Sequence, residues 1–251
     1  MNDKPSGKDA AVLRLEAELD SIARVRGVVE GDPAAEQARR NLREWQAARL
    51  ARTHADLVAS PKFGAAAAFF LADLYGPQDI GHREAAVRRV LPLMKKTLPA
   101  PALDAIADAI ELDALSESLD VAMAAHLGEI SGAIDAAAYG AAYRGVGRQD
   151  DRKRQIALIE HLGSSLEQLT HARFVGVALS AMRKPARLAG LSDLQAFLER
   201  GYDAFRRMGG AREFVETVTA REAAISAALF AGDDRPLTAD GASAQGRTLG
   251  G

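Results

Sequence analysis

The 251-residue chain contains no cysteine. Disulfides, thiolate metal sites, iron–sulfur clusters and a cysteine nucleophile are therefore excluded, and the absence fits a reducing cytosol. An excess of charge of either sign is also missing. The 32 Lys and Arg residues face 34 Asp and Glu, a formal net charge of −2. That balance gives no general attraction to nucleic acid or to an anionic membrane. No apolar run approaches the ~20 residues needed to cross a bilayer; the longest, Ala65 to Ala72, is short and mostly alanine. Met1 to Asp9 lacks the apolar core of a signal peptide. These absences together lead to the expectation of a cytoplasmic protein without membrane contact. Aromatic residues are scarce too, with eight Phe, four Tyr and one Trp.

What is present is helical periodicity along nearly the whole chain, with no convincing alternating strand. The expectation is an all-α globular bundle of about eight to ten helices, forming a single domain over residues 9–231 between a frayed start (1–8) and a disordered tail (232–251). A first helix spans about 9–28, with Leu15, Leu19 and Ile22 inward. A second runs from the turn at Asp32-Pro33 to about Ala59. Its apolar stripe includes Leu42 and Trp45, and its other face carries Arg39, Arg40, Arg43, Arg49 and Arg52. Ser60-Pro61 opens a third helix, which stops at Gly76-Pro77. Asp79 caps the next, which contains Pro92. Ser116 favours a break after Leu115. A small-residue helix over 131–145 carries Tyr139 and Tyr143. The longest helix is expected over 151–183. Ser192 and Gln195 match a capping box, and a last helix holds Phe214, Val218, Ile225 and Leu229.

One corner stands out. Phe69, Phe70 and Tyr75 place three aromatics within seven positions. Gly76-Pro77 follows, and Asp73, His82, Arg83 and Glu84 crowd the same stretch. Phe69, Phe70 and Leu74 are expected in the core, because aromatic side chains dominate buried area. Asp73, Tyr75, His82 and Arg83 are the candidate binding residues. They form either a buried hydrogen-bond network that fixes the corner or a recognition site. An Arg83–Asp73 pair would be central to both, since a bidentate guanidinium–carboxylate contact fixes geometry as well as charge.

The run Phe-Phe-Leu-x-Asp-Leu-Tyr-Gly-Pro-x-Asp beginning at Phe69, with Phe197-Leu198-Glu199-Arg200-Gly201-Tyr202 and Met208-Gly209-Gly210-Ala211-x-Glu213-Phe214, resembles a group of uncharacterised bacterial all-α proteins. The resemblance covers about residues 40–230. It implies no activity and assigns no catalytic residue.

Chemical signatures are otherwise thin. The five histidines, His54, His82, His126, His161 and His171, include no Glu-x-x-His pair of the kind a di-iron bundle requires. Glu167 and His171 share a helix face with Glu160, a pattern more often an exposed ion pair than a metal site. Neither a nucleophile elbow nor a phosphate loop occurs. Asp113, Glu117 and Asp120 share one helix face and read as a solvated acidic patch. The arginines of the second helix, and Arg183-Lys184 with Arg187, are basic spots in a chain of pI ≈ 6.2. That is far below the basicity of a typical nucleic-acid-binding domain.

No cofactor or metal is expected, and the sequence assigns no catalytic residue. Two readings follow. The first is a helical binding or interaction protein without chemistry of its own, its partner another protein or a small ligand. The second is an enzyme or cofactor binder using the 73–84 corner, with His82 as the natural proton carrier. The enzyme reading requires a concave pocket beside Tyr75 and His82. The interaction reading requires an exposed apolar or arginine-rich face elsewhere. Oligomeric state is not set by the sequence.

Overall fold

The computed structural model describes residues 7–28, 30–71, 81–128, 133–171 and 173–238, with the backbone alone for residues 81–85, 171, 173, 174 and 178. Eleven α-helices and no strand occur among them: α1 Gly7–Gly27, α2 Pro33–Thr53, α3 Ala55–Ala59, α4 Gly64–Phe69, α5 Gly81–Thr97, α6 Ala100–Gly128, α7 Ala136–Val146, α8 Gln149–His171, α9 Arg173–Leu188, α10 Ser192–Met208 and α11 Arg212–Phe230. The all-α bundle read from periodicity is the fold observed.

Helix α1 shows why the periodicity was informative. Ala11, Leu15, Leu19 and Ile22 recur at spacings of four, four and three, so one face is apolar. All four are buried against α5 and α6, beside Val87, Leu91, Leu103, Ala107, Ile110 and Ala114. Full burial of each large side chain stabilises the fold by about 1.5–3 kcal/mol. A second core joins α2, α6, α7 and α11 around Leu42, Met123, Tyr139, Tyr143, Ile225 and Leu229, and Trp45 stacks on Tyr139 with ring centroids 4.2 Å apart. A third joins α3, α4, α10 and α11 through Leu57, Phe63, Phe205, Met208 and Phe214. Helix α6 is the axis of the molecule, touching α1, α2, α5, α7 and α8.

Several boundaries differ from expectation, each for a local reason. The second helix stops at Thr53 rather than Ala59, because α11 captures the chain there. Arg221 donates to the Thr53 carbonyl at 3.2 Å, and the His54 ring reaches Glu222 at 3.0 Å. Helix α6 runs unbroken through Ser116, whose hydroxyl donates to the Leu112 carbonyl one turn back instead of capping a new helix. The expected 151–183 helix is two helices, α8 and α9, on either side of residue 172, and α6 with 29 residues is longer than either. The Ser192 capping box does not form. Gln195 instead donates to the Leu179 carbonyl at 2.7 Å, which ties α10 to α9. Helix α10 ends at Gly209, whose φ of +70° is a left-handed conformation that glycine adopts without steric cost. Beyond α11 a 3₁₀ turn, Arg235–Leu237, buries Pro236 and Leu237.

Candidate functional site

The sequence-predicted corner falls largely outside the described residues. Asp73 and Tyr75 lie outside them, as do Leu74 and Asp79. His82 and Arg83 belong to the first turn of α5, but their side chains lie outside the description. Phe69 and Phe70 of the corner are described and pack into the core. Phe69 packs on Phe197 at 5.3 Å, and Phe70 packs on Phe205 and Phe214 at 5.7 and 5.6 Å.

The polar groups that the structure does bring together line the interior. Glu117 and Asp120 are buried, not solvated, which corrects the expectation of an exposed acidic patch. Their partners are the arginines of α2. Arg39 and Arg43 both bond Glu117, and Arg43 also bonds Asp120 at 3.2 Å. The α2 positions 39, 43 and 46 are separated by four and three residues, so they project from one face, and Gln46 adds a donor to Asp120. Arginine and carboxylate faces that look solvated when read separately therefore meet each other. The same holds further along α6. Asp108 and Glu111 meet Arg14, Glu111 also meets Arg154, and Asp113 meets Arg26. Within the seam, burial pushes the Asp120 carboxyl above the usual carboxylate range, against the pull of Arg43 and Arg152. Arg152 is 6% exposed and lies over the Tyr143 ring at 4.5 Å.

A second group fastens α11 to the end of α2. Arg49 donates to both Glu222 oxygens at 2.6 and 2.7 Å, and His54 Nε2 lies 3.0 Å from one of them. Burial opposes the Glu222 charge, yet Arg49 and His54 together hold the carboxyl at about 2. Beside it, Arg221 bonds Asp56 through two contacts of 2.7 Å and lowers the Asp56 carboxyl below its ordinary value. These groups have the geometry of staples. Their acids and cations are engaged with one another.

A cleft of about 440 Å³ occurs where α8 meets the start of α11, lined by Ser164, Glu167, Gln168 and Arg212. No histidine is among its described lining residues, and no group of three or more metal-ligating side chains occurs among the described residues. No described helix is long and apolar enough to cross a membrane.

Helix α9 carries the two most exposed large apolar side chains among the described residues. It packs on α10 by one side. Tyr202 lies against Gly176, Gln195 reaches the Leu179 carbonyl, and Glu199 pairs with Arg183 at 2.6 Å. Positions 177, 181, 184 and 188 recur at spacings of four, three and four, so they share the opposite side. Val177 there is 71% exposed and Leu188 79%, with Ala181 and Lys184 also exposed. An apolar stripe facing solvent on a packed helix is the kind of surface that marks an interaction site. Arg183, Lys184 and Arg187 are legible in the sequence as a basic spot, whereas the exposed apolar positions 177, 181 and 188 around them are not. The available signal was a helix with apolar residues on two sides and no acidic residue.

No curated protein and no solved structure matches the chain. A family model does, over residues 27–236. The chain belongs to this family, described as a domain of unknown function (DUF8198). The match begins where α1 ends and takes in every later helix.

Proposed function

We propose that this family member is a cytoplasmic helical interaction protein without chemistry of its own, and that the outward side of α9 is the surface its partner covers. The observation that carries the reading is the exposure of Val177 and Leu188 on a helix whose other side is packed against α10. Two large aliphatic side chains on one helix face lose little by being covered and gain about 25 cal/mol for each Å² removed from water. The interior supports the same reading. Its carboxylates and arginines neutralise one another across α1, α2, α6, α8 and α11, an arrangement that holds a scaffold rigid.

The experiment is site-specific photo-crosslinking of the full chain in its host. A crosslinking amino acid replaces Ala181, in the middle of the stripe, or Ala51, exposed on α2. A discrete protein adduct from position 181 and none from position 51 is expected. No adduct from 181, or the same adducts from both positions, would overturn the reading.

A further inference from the structure

The α9 stripe has a charge as well as a shape. Residues 173–188 contain Arg173, Arg183, Lys184 and Arg187 and no acidic residue, in a chain whose overall formal charge is −2. Arg183 is engaged by Glu199. Lys184 lies in line with Val177, Ala181 and Leu188, and Arg187 flanks it. Neither forms an ion pair among the described residues, and both are exposed. Helix α5 adds to this end of the helix, where exposed Arg89 lies 3.4 Å from the Ala189 carbonyl. The face is therefore a short apolar line interrupted by Lys184 and bordered by cations that form no ion pair among the described residues.

Resting on the docking reading above, we infer that the occupant is an acidic amphipathic helix of another protein. Its apolar side covers Val177, Ala181 and Leu188, and its carboxylates meet Lys184, Arg187 and Arg89. From 177 to 188 the stripe is about 16 Å long, at ~1.5 Å per residue, which is the length of three helical turns. Charge complementarity selects the acidic partner, because opposite potentials steer encounter and like charges are penalised. That penalty disfavours a second copy of this chain, which would bring the same cations to the same face. A membrane surface is the other occupant that a basic amphipathic helix can meet, and vesicle binding separates the two.

The test is fluorescence anisotropy with the full chain and two synthetic helical peptides. Both carry a leucine stripe; one has glutamate on its flanks, the other glutamine. The glutamate peptide is expected to bind, and to bind at least about tenfold more weakly to a Lys184→Glu, Arg187→Glu variant, one decade corresponding to the loss of a charge-assisted contact. Leu188→Glu should weaken it by a similar factor, and added salt should weaken it further, because the Debye length falls from about 10 Å at 0.1 M to 3 Å at 1 M. Failure of the glutamate peptide to bind, or equal binding to parent and variants, would overturn the inference. So would equal binding of the glutamine peptide, or self-association through this face lost on Leu188→Glu. Binding of the chain to phosphatidylserine vesicles that disappears in the Lys184→Glu, Arg187→Glu variant would overturn it as well. If any of these occurs while position 181 still crosslinks a partner, the docking surface stands and only the acidic chemistry is lost.

Discussion

Arg49 and Glu222 are 173 positions apart in sequence and 2.6 Å apart in space. The contact joins α2 to α11, and His54 completes it from the turn that ends α2. Glu222 and its neighbour Arg221 thus hold the chain against α11 where α2 stops.

Glu222 should make the fold acid-sensitive in a defined window. Its carboxyl is at about 2 in the folded chain against an ordinary 4.5. A depressed acid contributes stability that is fully present above its unfolded value and is lost as pH falls through the folded one. At 1.36 kcal/mol per unit, the contribution is about 3 kcal/mol, lost between about pH 4.5 and 2. Glu222→Gln should lower neutral-pH stability by about that amount and flatten the decline in this window. Denaturant titrations at several pH values check it; a variant as stable as the parent at pH 7 would refute it.

Asp120 should behave in the opposite sense. Burial raises its carboxyl despite Arg43 and Arg152. An acid raised on folding favours the fold while protonated, and that contribution is lost as pH rises through its folded value. Asp120→Asn should therefore flatten the pH dependence of stability, and should cost less than the ~3–5 kcal/mol of a fully broken buried pair, because Arg43 keeps Glu117 as a partner. An unchanged pH dependence would show that Asp120 carries no such contribution.

The platform beneath α9 depends on a close approach. A Cβ at Gly201 of α10 would lie 2.9 Å from Cζ of Phe69, a ring also packed on Phe197. Gly201→Ala gains helix propensity of about 1 kcal/mol but overpacks a buried ring at a cost of ~1–3 kcal/mol. Net destabilisation is the expected result by thermal melting, and a stabilised variant would mean that Phe69 moves aside freely.

Arg83→Ala tests the corner read from sequence. If Arg83 pairs with Asp73 in a buried setting, the substitution lowers stability by ~3–5 kcal/mol. A melting curve unchanged from the parent would show that no such pair supports the fold.

Local patterns were legible where one element decided them. Leu15, Leu19 and Ile22 declare a buried face by spacing alone, and the structure buries them completely. Asp32 and Pro33 mark the start of α2, where the Asp32 side chain accepts from Ala34 and Ala35. What could not be read was pairing across the fold. Arg43 and Glu117 are 74 positions apart, and each alone has the pattern of a solvated helix face. The end of α2 at Thr53 depends on Arg221, and the role of Gln195 depends on the Leu179 carbonyl. The α9 stripe was not legible because residues 151–183 read as one long helix, whereas α9 is a separate helix whose outward side is exposed among the described residues.

The most direct measurement is made on a Val177→Glu, Leu188→Glu double variant carrying the crosslinker at position 181. Both side chains are largely exposed, so the variant should melt like the parent, surface changes of this kind staying within about 0.5 kcal/mol. It should also lose the partner adduct. A partner adduct that persists at full strength, or a melting temperature that collapses, would contradict the account: the first by showing that α9 is not the docking face, the second by showing that its stripe belongs to the core.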